Sequence, residues 1–542
     1  MERIDGQTAE RPKVSRRTLL GGIATGAIAA ALPRDAAADP PGIGAAHRRS
    51  AEAFQVRLAA ARFEQQLPVP PQTGNGDEAR LPNRIGCFSK GLPHNHRGEV
   101  LAPAYDSLLS ALRTGDPADF ERILLGGGTP LVNPQAGLAF DLQGPDSHAL
   151  ALPPAPRFDG AEQAAEMAEE YWMALARDVP FEHYDGHPLV DRAASDLSVF
   201  TGFRGPRQGG AVTPATIFRG STAGNLAGPY VSQFLWRRAP FGAEEVDRRI
   251  RTAQPGFDYV TGYPEWLAIQ DGRPPALDLL LDTSPRYVRS GRDLAAWVRR
   301  DVIFQAYFDA MLVLLGLGLA LDRGNPYGAS RTQRGFGTFG DPHVASLLCA
   351  VATSALKAVW FQKWFVHRRL RPEAFAGYVH NHRKGVAAYP IHAAILASPV
   401  LDEVAAATGG CLLPLAYPEG SPLHPSYGAG HATVAGACVT ILKAFFDESA
   451  ELPDPVEATP DGLDLLPYQG PRLTVGGELN KLASNIALGR NFAGIHWRSD
   501  AGASLVLGEE VALRYLAKER LCVNEPFEGF TVTRFDGTTV AV

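Results

Sequence analysis

The stretch Trp360-Phe-Gln-Lys-Trp-Phe-Val-His367 closes an apolar helical pattern over 344–370, and no other stretch limits the fold as much. It is too aromatic for a surface helix, yet it carries a lysine and a histidine, and Arg371 follows. At helical spacing Lys363, His367 and Arg371 fall four residues apart and form one stripe at the helix end. A lysine and an arginine held among aromatics need an anion beside them, because unpaired buried charge is costly. The helix is expected to stop at Arg371-Pro372, since a residue before proline is pushed out of the α region.

Three further long patterns accompany it. Residues 291–321 read as one helix, and its uninterrupted apolar part, 310–321, is shorter than the about 20 residues a membrane span needs. Asp301, Gln305 and Asp309 interrupt the run, so it reads as a core helix of a bundle. Asp301 is open to two readings, a buried counter-ion or a solvated position. Helices are also expected over 432–447 and from near His496 to about Arg520. Upstream, a short amphipathic helix fits 51–66, and 75–160 is rich in Gly, Pro and Asn with short helices at 104–113 and 117–124. His94, His96 and His148 in that region read as surface or structural residues. A helix over about 160–177 has acidic residues toward its start, and about 204–224 reads as loop. The tail 530–542 alternates around Asp536-Gly537, a β-hairpin pattern. Strand patterns are scarce elsewhere and no internal repeat is present. The expected class is mainly α: a large helical domain built on helix bundles, residues 39–542, with a small C-terminal β-hairpin and an active half at about 290–520.

The 542 residues, 45% hydrophobic and 20% charged, have ordinary globular composition. A net charge of −6 gives no electrostatic case for nucleic acid, so any anion site must be local. Ser15-Arg-Arg-Thr-Leu-Leu20, a small-residue apolar run over 21–32, and Ala36-Ala37-Ala38 form a twin-arginine signal peptide, residues 1–38. Export to the periplasm or beyond is expected, with no membrane span in the mature protein. The five cysteines have no C-x-x-C spacing, which argues against a structural zinc or redox motif. One disulfide is allowed but not assignable, and Cys349 and Cys438 read as buried thiols.

Two more segments carry chemistry. Ser421-Pro-Leu-His-Pro-Ser-Tyr-Gly-Ala-Gly-His-Ala-Thr433 places His424 and His431 around a Gly-Ala-Gly turn that enters a helix. Gly428 and Gly430 permit close approach of backbone N–H groups, and a helix start favours an anion. Leu488-Gly-Arg-Asn-Phe-Ala-Gly-Ile-His-Trp-Arg-Ser-Asp500 places Arg490 and His496 around a loop, with Asp500 one turn on, where it can orient the imidazole. Lys363, Arg371 and Arg490 together suit a tetrahedral oxyanion with two or three charges: arginines grip oxygens in pairs and lysine acts as a point charge. One histidine can then attack or ligate the central atom while the other moves protons.

Lys363, Arg371-Pro372, Gly428-Ala-Gly-His431, Gly489-Arg490, His496 and Asp500 resemble the signature of the vanadium-dependent haloperoxidase and type-2 phosphatidic acid phosphatase superfamily. Ser89-Lys-Gly-Leu-Pro-His94, Gly291-Arg-Asp-Leu-Ala, Gly335-Phe-Gly-Thr-Phe-Gly and 360–375 further resemble its bromoperoxidase branch. The resemblance implies a vanadate cofactor ligated through His496 Nε2 and held by Lys363, Arg371, Arg490 and the Gly430 N–H. It implies that His431 is the acid–base group, that Lys363 polarises bound peroxide, and that hydrogen peroxide, halide and small organic molecules are the substrates. His424 matches the bromoperoxidases at a position where chloroperoxidases carry phenylalanine. Together with Trp360 it would stand on the halide side or serve as wall. Family analogy suggests a homo-oligomer. The pattern is broken at Ala429, where the family has serine, and at Gly428, where it has proline. The alternative on the same scaffold is an exported acid phosphatase with His496 as nucleophile, and a third class is a non-enzymatic anion binder.

Overall fold

The structure is a computed structural model and describes residues 43–542; the expected twin-arginine signal peptide, residues 1–38, lies outside the described residues. Its centre is helix α6, Gly430–Phe445. Every residue of α6 but His431 is buried. The cylinder is built from Gly, Ala, Val, Thr and Cys, which let neighbouring helices come close. A Cβ on Gly436 would lie 2.0 Å from Leu505 O, and one on Gly508 would lie 1.9 Å from Thr433 O. Only glycine fits at that crossing. It fastens α6 against α8, Arg498–Glu519, and so fixes the two helix starts that carry His431 and His496. Around this pair pack α4, Asp341–Phe361, and α7, Val475–Phe492, with α2, Gly291–Arg300, against α7.

Farther from the site, α1, Ala161–Ala176, is buried from Gln163 to Met173. The acids expected near its start include Glu166, Glu169 and Glu170, and all three are buried. The helix expected at 51–66 extends over Ile43–Gln66. The C-terminal hairpin pairs β1, Thr531–Thr533, with β2, Thr539–Ala541, as expected. Two other short antiparallel pairs, 239–241 with 244–246 and 456–458 with 465–467, had no clear sequence pattern. All five cysteines are free; Cys438 is buried as expected, whereas Cys349 is half-buried.

Two sequence expectations are corrected. The run 291–321 is two helices, α2 and α3, Gln305–Gly316, because Asp301 is extended (φ −62°, ψ 145°) and breaks the pattern. The Lys363–His367–Arg371 stripe does not exist. The α-helix gives way to a π turn, Gln362–His367, then Arg368 in the left-handed region, and Arg371 is extended at the start of α5, Pro372–Arg383. The extra residue of the π turn re-aims the side chains, and Pro372 forbids helical Arg371. By length and composition 341–367 could cross a membrane, but its inner face is buried against α6 and α8. Lys357, on the other face, pairs with Asp141.

Candidate active site

Four element ends converge: the π turn after α4, the start of α6, the end of α7 and the start of α8. Lys363, fully buried, donates from Nζ to Pro425 O at 2.7 Å and Ser426 O at 3.0 Å. Arg371 donates from Nη1 to Ile495 O at 2.7 Å and reaches His496 Nε2 at 2.9 Å. Its Nη2 lies 2.9 Å from His424 Nδ1 and 2.8 Å from His424 O. Arg490, in the last turn of α7, donates to Val298 O at 2.6 Å, and its buried Nε has no partner among the described residues. Among the described residues no carboxylate pairs with Lys363, Arg371 or Arg490. That is unusual for buried cations, which are normally paired. Burial, then Arg371, pushes the Lys363 ammonium well below its ordinary value. Burial, aided by Arg490 and opposed by Asp500, brings Arg371 down to about 9. The arrangement is a cationic cradle of the kind that suits an anion.

The histidines divide into two states. His496 Nδ1 stands 2.9 Å from Asp500 Oδ2, and Asp500 Oδ2 also accepts from Trp497 N at 3.1 Å. A guanidinium can only donate, so the Arg371 contact requires His496 Nε2 to accept. His496 therefore carries its proton on Nδ1 and keeps a lone pair on Nε2. His431 is the reverse. Its Nε2 lies 3.0 Å from Asp301 Oδ1, while Nδ1 has no hydrogen-bond partner among the described residues. Burial raises the Asp301 carboxyl, but the His431 charge and hydrogen bond outweigh it and hold the acid below its usual range. Burial also lowers His431, partly offset by Asp301. His424 and His496 are held well below 6.5 by burial first and the neighbouring cations second.

Trp360 forms a wall: its ring is 4.9 Å from the His424 ring and 5.7 Å from Lys363 Nζ, and its Nε1 donates to Val132 O at 3.1 Å. A Cβ at Gly430 would come within 3.1 Å of Trp360 Cζ3, so glycine keeps the backbone at this wall open. The Gly430 N–H belongs to the first turn of α6, whose donors have no intrahelical acceptor. Sequence reasoning thus brought together Lys363, Arg371, Arg490, Gly430, His424, His431, His496, Trp360 and Asp500. It also placed His367 in the basic stripe, but that ring packs edge-on against Tyr427 at 4.7 Å, outside the cradle, with both nitrogens unpartnered among the described residues. Burial and Arg368 drive that imidazole down to about 3. It left Asp301 open, although an acid inside an apolar pattern was the available signal. Ser426, which donates to Asp500 Oδ2, and Ser504, which accepts from Ala429 N at 2.8 Å, had none.

Comparison with known proteins identifies the lineage. A family model described as the VCPO second helical-bundle domain matches residues 344–525. The vanadium-dependent bromoperoxidase of Corallina pilulifera is 36% identical, with 91% of this chain and 98% of that one covered. That of Ascophyllum nodosum is 38% identical over 88% of this chain and 90% of that one. The chain belongs to the vanadium-dependent haloperoxidase family. The homohexameric structure of the second vanadate-dependent bromoperoxidase from Ascophyllum nodosum agrees in fold, with a TM-score of 0.87 and 32% identity over 93% of this chain and 94% of that one. Within this vanadium-dependent haloperoxidase, Ala429 is fully buried and extended (φ −84°, ψ 124°) at the N-cap of α6, with no side-chain cap.

Proposed function

We propose that the chain is a vanadate-dependent haloperoxidase that oxidises bromide or iodide with hydrogen peroxide to a hypohalous acid equivalent, which halogenates small organic substrates. The observation that carries this reading is the cluster Lys363, Arg371 and Arg490, buried with no carboxylate partner among the described residues around the unprotonated Nε2 of His496. Three such cations, with the orphaned Arg490 Nε and a helix start, fit a multiply charged tetrahedral oxyanion. Vanadate is such an anion, and His496 Nε2 would ligate it while Lys363, Arg371, Arg490 and the Gly430 N–H hold its oxygens. When bound, vanadate supplies a Lewis-acidic vanadium(V) that activates peroxide toward halide without changing oxidation state.

The protein's own groups do the rest. His431 Nδ1, unpartnered and oriented by Asp301, is placed to take a proton from incoming peroxide and return it to the departing oxygen. Lys363 places a fixed positive charge beside the oxygen that accepts negative charge. His424 and Trp360 line the side on which the halide approaches. Burial of the cradle excludes the water that would weaken these interactions.

The twin-arginine pattern supports export to the periplasm or outside the cell, and the homohexameric relative supports a homo-oligomer. Phosphate shares the shape and charge of vanadate, so an acid phosphatase with His496 as nucleophile would use the same cradle; the bromoperoxidase relatives favour oxidation. Protein reconstituted with orthovanadate should brominate a phenol-red dye given bromide and peroxide, and His496→Ala should abolish it. Absence of bromination, with turnover of a chromogenic phosphate ester that vanadate inhibits, would replace this reading with the phosphatase.

A further inference from the structure

Arg369 lies beyond the residues that line the cradle, and its side chain is 1% exposed. Its guanidinium bridges two elements. Nη1 donates to Asp500 Oδ1 at 2.9 Å and to Ser499 Oγ at 2.8 Å, both in the first turn of α8. Nη2 donates to Gln163 Oε1 and Glu166 Oε2, each at 2.7 Å, on α1. Glu166 Oε1 closes the loop by accepting from Ser499 N at 2.5 Å. One face of the guanidinium covers the Trp497 ring at 4.9 Å. A planar fork with paired donors makes such a bridge, and a lysine cannot make all of it.

The consequence falls on Asp500, which is fully buried. Its Oδ2 accepts from His496 Nδ1, Trp497 N and Ser426 Oγ, and its Oδ1 accepts from Arg369. With both oxygens occupied, the carboxylate cannot rotate about its Cβ–Cγ bond without breaking buried hydrogen bonds on each of them. An ionised carboxylate only accepts, so Asp500 held against His496 Nδ1 acts together with the Arg371 donor at Nε2 to select the tautomer with its proton on Nδ1. Resting on the vanadate reading of the cradle, we infer that Arg369 is a positioning residue, which holds Asp500 so that His496 presents an unprotonated Nε2 to the anion. Glu166 is its anchor on α1. Of the buried acids of α1, Glu166 therefore connects to the site through Arg369, whereas Glu169 pairs with Arg498 and Glu170 accepts from Asn491.

The test uses the full vanadate-free protein, with 15N-labelled histidine, and two readouts. The first is the ring 15N pattern of His496, which distinguishes Nδ1–H from Nε2–H and needs no vanadate. The second is the orthovanadate dissociation constant by 51V NMR. Wild type should show the Nδ1–H form. Arg369→Gln should show a mixture of tautomers and bind orthovanadate about 10–100-fold more weakly, the usual scale for partners of a ligating histidine. Arg369→Lys, which keeps the charge beside Asp500, should recover much of both. An Arg369→Gln protein with the wild-type 15N pattern and unchanged affinity would overturn the inference. If Arg369→Gln does not fold, Glu166→Gln is read in the same way: a shifted pattern and weaker binding support the inference, and an unchanged pattern and affinity refute it. Failure of wild type to bind orthovanadate would instead refute the cofactor, and the tautomer readout would still judge Arg369.

Discussion

Replacing Ala429 with serine tests the cradle at one of its two departures from the family pattern. Ala429 is the N-cap residue of α6, in the extended conformation from which a serine oxygen accepts an N–H two or three residues on. The same hydroxyl has one proton to donate, and the oxygens held near the Gly430 N–H are its natural acceptor. The two roles are compatible, because one uses the lone pairs and the other the proton. The cap should stabilise the ligand-free protein by about 0.5–2 kcal/mol. A hydrogen bond to a charged acceptor adds about 1.5–3 kcal/mol to ligand binding, which is roughly a 10–150-fold tighter orthovanadate constant. Differential scanning calorimetry without ligand measures the first effect, and isothermal titration of orthovanadate measures the second. A variant that is more stable but binds orthovanadate within a factor of about two of wild type would show that residue 429 does not face the anion. The arrangement of oxygens argued from Gly430 would then be wrong.

Three further outcomes are expected. His424 and His496 are kept neutral below 6.5 by burial and then by the neighbouring cations, so the unfolded chain takes up more protons than the folded one as pH falls. Vanadate-free protein should therefore be most stable above about pH 6.5 and lose melting temperature below it, with orthovanadate or phosphate restoring part of the loss; a flat profile from pH 7.5 to 5 would contradict the burial of these rings. Asp301→Asn should lower bromination turnover by about 10²-fold or more, the scale of general acid–base catalysis, while leaving orthovanadate affinity nearly unchanged; an equal loss in both would place Asp301 in binding instead. Gly508→Ala puts a methyl 1.9 Å from Thr433 O and should cost about 1–3 kcal/mol by overpacking, read by urea denaturation, with weaker orthovanadate binding as α6 shifts from α8.

The run Arg368-Arg369-Leu370-Arg371 shows where reading residues along the chain stops. Its three arginines look alike in sequence, yet Arg368 pairs with Glu78, Arg369 bridges Asp500 and Glu166, and Arg371 reaches His424 and His496. The residues of the cradle were legible because each is a charged or ring-nitrogen group in a setting, aromatic or glycine-rich, that local physics disfavours without a ligand. Their spacing along the chain was not informative in the same way. The stripe of Lys363, His367 and Arg371 fails because a π turn and Pro372 redirect the backbone; the proline acts locally and was legible, whereas the π turn was not.

The helical class, the terminal hairpin and the chemical character of the site, basic groups and two histidines suited to an oxyanion, were legible along the chain. Those follow from residue type and short-range periodicity, which do not need the partner elements. Only the tertiary structure decided which acid serves which base. Asp301 breaks its helix to meet His431, Glu166 reaches from α1 to Arg369, and Asp500 sets the proton on His496. Burial makes each of these charges expensive, so each must find a partner. That partner is brought near by the glycine crossing of α6 and α8 and by the packing of α1, contacts between residues far apart in the chain.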